Sequence, residues 1–166
     1  MNTWGYEPQV WRRALAEGSK VLMDRASRRA NQTISYSELA GQIKSICFNA
    51  EDTDFHDLLG QISEVESQAG RGMLSVLVVH KNGDQMPGRG FFELGKALGY
   101  NVRDELKFWT EEFSKVLDAH GSKGGAHLNA PGLEYLPFFP LGAIDKNRRI
   151  TEIAARYLRA MSKISK

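Results

Sequence analysis

The chain has 166 residues, 42% of them hydrophobic and 25% charged, with a formal net charge of +2. That is the size of one globular domain, 1–166, with one sizeable core, and so small a net charge does not by itself call for a polyanionic partner. No run approaches the ~18 apolar residues that span a bilayer, the opening "MNTWGYEPQV" lacks the basic-then-apolar pattern of a secretory signal, and a single cysteine excludes an internal disulfide.

A soluble, cytoplasmic protein without a membrane partner is expected, with Cys47 as a small buried hydrophobe. Residues 1–33 hold a first helix: "PQVWRRALAEGSKVLMDRASRRA" opens with Pro8 at a first helical position and sets Trp11, Leu15 and Leu22 near one face. In "TISYSELAGQI", Ser35 and Glu38 have the S-x-x-E spacing of a capping box. The hydroxyl takes an orphan amide, the glutamate reaches back to the cap, and a second helix starts near Tyr36. "FHDLLGQISEVESQAG" places Phe55, Leu58, Leu59, Ile62 and Val65 on a helical stripe that ends at Gly70.

"MLSVLVVH" is rich in β-branched residues and apolar on both faces, which predicts a buried strand containing Ser75. Asn82-Gly83 then favours a type I′ turn into a short returning strand, because Pro87 removes a ladder donor. "FFELGKALG" predicts a helix from Phe91 that closes at Gly99. Residues 100–120 hold another, with Val102, Leu106, Trp109, Phe113 and Val116 at core spacing. Residues 121–142 read as a loop packing through Leu136, Phe138 and Phe139, and 143–166 as a basic amphipathic helix. The expected fold is α+β: a winged helix-turn-helix-like centre at 34–99 with a short β-hairpin, and additional N- and C-terminal helices.

Charge is unevenly spread. Arg12, Arg13, Lys20, Arg25, Arg28 and Arg29 load the first third, and Lys146, Arg148, Arg149, Arg156, Arg159, Lys163 and Lys166 load the end. Between them Glu51, Asp52, Asp54, Asp57, Glu64 and Glu66 stand without a Lys or Arg to balance them. Solvated helix faces account for such runs; the functional alternative is two basic arms flanking an acidic helix. In "PGRG", Gly88 and Gly90 let the backbone approach an anion, the helix start aims the amides of Gly90, Phe91 and Phe92 at it, and Arg89 adds a charged fork. The bland alternative is a sharp turn that needs glycine. His56, His80 and Asp84 are the candidates for general acid/base work, and Asp54, Asp57 and Glu64 could offer oxygens to a metal. No nucleophile or second ligand lies at motif spacing, so no catalytic residue, metal or cofactor is expected.

The order helix, helix, strand and glycine loop invites a family comparison. "ISYSELA" (Ile34, Ser35, Tyr36, Ser37, Glu38, Leu39, Ala40), "DLLG" (Asp57, Leu58, Leu59, Gly60), "LSVLVV" (Leu74, Ser75, Val76, Leu77, Val78, Val79) with Gly83 after it, "PGRG" at Pro87, Gly88, Arg89 and Gly90, and "KALG" at Lys96, Ala97, Leu98 and Gly99 follow one another in the chain. Residues 34–99 thereby resemble the C-terminal, DNA-binding domain of the O6-alkylguanine alkyltransferases and the alkyltransferase-like proteins, with their "TYGELA", "RAVG" and "PCHRVV" patterns. The resemblance implies a DNA-binding scaffold. It also puts Ser75 at the alkyl-accepting cysteine, Val76 at the adjoining histidine and Asp57 at the arginine inserted into the base stack, so it implies neither alkyl transfer nor an arginine finger.

The expected function is therefore non-catalytic binding of nucleic acid, through the basic terminal helices (Arg28, Arg29, Arg148, Arg149) and a wing loop (Lys81, Gly88, Arg89, Gly90). One alternative is a protein-interaction or regulatory module whose acidic helix, 51–66, meets a basic partner. A further one is a metal-dependent nuclease or hydrolase around His80 and Asp84.

Overall fold

The computed structural model describes residues 3–82 and 85–121. Asp84, Gly83 of the expected turn, the packing of Leu136, Phe138 and Phe139, and the basic helix with Arg148 and Arg149 lie outside the described residues.

Helix α1, Pro8–Ser27, begins on a proline whose missing N–H is no loss in a first turn, and buries Trp11, Ala14, Leu15, Leu22 and Ala26 along one face. Strand β1, Ile34–Ser35, leads directly into helix α2, Tyr36–Gln42. Ser35 caps that helix by accepting from the Glu38 amide at 3.2 Å. Only half of the expected capping box forms, because the Glu38 carboxylate is engaged by Arg25 of α1. Arg25 also donates to the Thr33 carbonyl at 3.1 Å, which ties the end of α1 to the entry of β1.

Helix α3, Thr53–Gln68, inserts Phe55, Leu58, Leu59 and Ile62 into the core, and the chain reverses at Gly70 with φ +74°. A fully buried phenylalanine or leucine of this kind contributes ~1.5–3 kcal/mol of transfer free energy. The apolar run that follows is not one long strand. Leu74–Leu77 form a 3-10 turn, closed by the Val76 amide on the Met73 carbonyl at 2.9 Å, and only Val78–Val79 form strand β2. β2 pairs in parallel with β1, Ile34 opposite Val78 and Ser35 opposite Val79.

The expected β-hairpin is thus corrected: among the described residues no strand returns after β2, and the sheet has two parallel strands. Burial on both faces, the property that suggested a strand, is also what a parallel pair under helices requires. The crossover between the strands contains α2 and α3, so residues 34–99 form a mostly helical α+β unit.

Helix α4, Arg89–Ala97, starts two residues before Phe91 and ends ahead of Gly99, φ +91°. Helix α5, Glu105–His120, is capped by Asp104, which accepts from the Lys107 amide at 3.0 Å. Its buried face runs through Phe108, Glu112 and Val116; of the expected stripe Val102 and Val116 are buried and Trp109 and Phe113 pack half-buried against the core, while Leu106 is 58% exposed. Phe108 lay outside the expected stripe, and Glu112, one turn on, accepts the Met73 amide at 3.0 Å and pairs with Lys115, so a carboxylate takes a core position. α1 packs against α3, the 3-10 turn and α5, and this three-sided contact holds the core. Cys47, expected in the interior, is exposed in the connection between α2 and α3.

Candidate functional site

The parallel register sets up one corner of the molecule. Since Ser35 lies opposite Val79, the next residues along, Tyr36 and His80, emerge side by side where the strands end, with ring centroids 5.4 Å apart. His56, from the first turns of α3, packs on the same phenol at 5.3 Å. The His80 amide donates to the Met86 carbonyl at 3.1 Å, and Gly88 is the N-cap of α4. Its amide donates to the Tyr36 hydroxyl at 3.0 Å. A Cβ on Gly88 would stand 2.9 Å from Tyr36 Oη and 3.3 Å from His80 Nε2, so both side chains close on the Gly88 backbone and only glycine fits between them.

Burial raises the Tyr36 pKa above its ordinary value, against the Gly88 hydrogen bond, and the phenol stays neutral. His56 is 8% exposed, and burial foremost pushes its pKa down, opposed by a hydrogen bond with the Ala50 backbone; the charge of a protonated His80 pushes the same way as burial, and Asp52 opposes. Its Nδ1 is buried without a hydrogen-bond partner.

At the start of α4 no side chain caps the helix. The amide of Phe91, expected to face a ligand, closes on the Gly88 carbonyl at 3.0 Å, and Phe91 and Phe92 belong to the core. The first-turn amides left without helical partners are those of Arg89 and Gly90. Arg89 and Lys81 are exposed, and neither forms an ion pair with another described residue.

The other expected sites fare differently. Arg28 pairs with Asp24 at 2.8 Å, whereas Arg29 is exposed. Asp57, at the position the resemblance assigns to an inserted arginine, is 3% exposed and accepts from Trp4 Nε1 and Gln61 Nε2, each at 2.9 Å; burial still raises its pKa. Asp54 accepts the Tyr6 hydroxyl at 2.9 Å. Glu66 is buried and holds Arg71 and His120, so of the acids expected to stand without a basic partner this one is balanced. Among the described residues no group of three His, Cys, Asp or Glu side chains stands ready for a metal ion.

Ser75 is buried as expected, but in the 3-10 turn rather than in a strand. Ser63 Oγ donates to its hydroxyl at 2.7 Å and accepts its amide at 2.9 Å. Ser75→Ala is expected to lower stability by about 1 kcal/mol, the worth of one such hydrogen bond, and to leave ligand binding unchanged. Parallel thermal melts and binding isotherms check this, and lost binding at wild-type stability would assign the hydroxyl a functional role.

The chain matches no family model, no curated protein and no solved structure. A role for the corner therefore rests on its own chemistry. Tyr36 was not legible as a site residue: a tyrosine after a capping serine signals only a helix start, and it is the register with β2 that brings it to His80 and Gly88.

Proposed function

We propose that the protein binds the phosphate backbone of nucleic acid, without turnover, at the corner formed by Tyr36, His80, Gly88 and Arg89. The observation that carries this reading is Arg89: an exposed guanidinium with no ion pair among the described residues, set on an uncapped helix start whose entry is fixed by the Gly88–Tyr36 hydrogen bond. An exposed helix terminus adds only ~0.3–1 kcal/mol for a nearby anion, and a hydrogen bond to a charged group ~1.5–3 kcal/mol. One such corner holds a free phosphate weakly. A polyanion that also meets Lys81 and Arg29 gains further from released counterions.

On this reading residues 34–99 serve as an alkyltransferase-like, winged-helix-like scaffold, with Lys81, Gly88, Arg89 and Gly90 as the residues that would meet the ligand in the manner of a wing. Ser75, which that resemblance puts at the nucleophile position, is enclosed with Ser63, in keeping with binding rather than transfer. The competing protein-partner reading loses two of its six acids, since Asp57 and Glu66 are spent inside the fold.

Arg89→Ala is expected to weaken binding of a short fluorescent duplex by about tenfold and to lessen the logarithmic salt slope by about 0.9, with an unchanged melting temperature. Anisotropy titrations over a range of salt, alongside thermal melts, test this. Wild-type protein that binds neither duplex nor single strand at low salt would remove the reading in favour of a protein partner.

A further inference from the structure

Helix α5 carries two apolar faces. Phe108 and Val116 fill the core, and beside them Leu106, Trp109, Phe113 and Leu117 follow one another at steps of three, four and four residues, a second stripe at helical spacing. Leu106 is exposed and the other three are only half-buried. The stripe borders a groove of about 240 Å³ lined by Trp109, Thr110, Phe113 and Ser114, and by Thr33 at the entry to β1. Trp109 Nε1 donates to the Val76 carbonyl at 3.1 Å, and Thr110 Oγ1 donates back to the Leu106 and Lys107 carbonyls at 3.0 and 2.9 Å, so both have spent their hydrogens inside the fold. No charged side chain lines the groove. Its volume falls below the ~300–1,000 Å³ of small-molecule sites, and it suits the apolar side chains of a packed segment better than a ligand.

The chain itself supplies a matching segment. Ile150, Ile153, Tyr157 and Met161 repeat the same steps of three, four and four residues, so as a helix they would form a stripe of equal length, about 17 Å. Residues 122–142, which join α5 to this segment, reach about 70 Å when extended, ample for a return along α5. The charges match as well. Residues 143–166 carry seven lysines and arginines against Asp145 and Glu152, an excess greater than the net charge of +2 of the whole chain, so the remainder is acidic on balance. Glu105 and Asp118 of α5 are exposed, and neither forms an ion pair with another described residue.

We propose that the groove beside α5 is the docking surface of the chain's own residues 143–166, the stripe from Ile150 to Met161 packing as a helix along the stripe from Leu106 to Leu117. This docking stands apart from phosphate binding at the Tyr36 corner and uses none of its residues.

Hydrogen exchange of the full chain, read by mass spectrometry, tests it with wild type, Leu106→Arg, Thr110→Arg and Tyr157→Asp, each confirmed as folded by thermal melting. Leu106 and Thr110 are exposed, so an arginine at either position spares the core side of α5 and sets a cation against the basic segment. In wild type the amides of residues 150–161 are expected to exchange about tenfold or more slowly than in an unstructured peptide of the same sequence. Each variant should bring them to the peptide rate while α1 keeps its wild-type exchange. Wild-type amides of 150–161 that already exchange at the peptide rate overturn the docking. Protection that survives both Leu106→Arg and Thr110→Arg overturns the assignment to this groove, and protection that these variants remove from 122–142 instead overturns the choice of segment. Sedimentation at the same concentrations should give the mass of a monomer; a dimer whose protection falls on dilution would make a second copy the occupant and overturn docking within one chain.

Discussion

Glu66→Ala is expected to lower stability at neutral pH by about 3 kcal/mol, a fall in melting temperature of roughly 10 °C. The Glu66 side chain is 4% exposed and ties the end of α3 to the end of α5, accepting from Arg71 Nε at 2.8 Å and Nη2 at 2.6 Å and lying 2.9 Å from His120 Nε2. Removing it takes a buried carboxylate away from two groups that share it. Arg71 reaches water, with 25% of its side chain exposed, which places the loss at the lower end of the range for broken buried pairs. The pH dependence identifies the group. Burial alone would raise the Glu66 pKa, but the hydrogen bonds and charges of Arg71 and His120 outweigh it and hold the carboxyl below its ordinary value. A carboxylate with a depressed folded-state pKa contributes its full stability above the unfolded value and loses it as pH falls through the folded one. The gap between wild type and Glu66→Ala should accordingly narrow from about pH 5 to about pH 3. Chemical denaturation across that window measures it, and a gap that stays constant would show that the network contributes nothing as an ion pair.

Gly95→Val is expected to cost about 3 kcal/mol, although the position sits inside an amphipathic helix where most residues outrank glycine in helix propensity by up to ~1 kcal/mol. The sign is decided by packing. A Cβ at Gly95 would lie 2.7 Å and 2.8 Å from two carbons of the Phe108 ring and 3.3 Å from Val102 Cγ2. That ring has little room to retreat, since the Phe91, Tyr100 and Phe92 rings surround it at 5.3, 5.5 and 6.4 Å between centroids. Separation of α4 from α5 would also displace the start of α4, so on the proposed reading duplex binding should fall together with the urea midpoint. A valine variant as stable as wild type would mean that the two helices do not meet through Gly95 and Phe108.

Local signals in the chain were strong wherever the physics is local. Pro8 marked the first turn of α1, Ser35 the cap of α2, and Gly70 and Gly99 the reversals after α3 and α4, because each depends on backbone conformation within a few residues. The stripe Phe55, Leu58, Leu59 and Ile62 was legible for the same reason: period fixes a face without reference to any partner. α5 shows the limit of that reasoning. The expected stripe passed over Phe108 and Glu112, and that carboxylate is held in the core by a distant backbone amide, that of Met73.

By itself the sequence determined, among the described residues, which segments are helical, that the run before His80 is buried on both faces, and that a helix follows the glycine turn at Gly88. Tertiary structure alone decided that this run splits into a 3-10 turn and a two-residue strand parallel to Ile34–Ser35, and with that register came the meeting of Tyr36, His56, His80 and Gly88. It likewise turned Asp57 and Glu66 from surface charge into internal anchors. The physical reason is common to all of these. Strand partners, ion pairs and ring contacts between residues far apart in the chain are selected by which groups remain unsatisfied once the helices have packed, and periodicity along one segment carries no record of that competition.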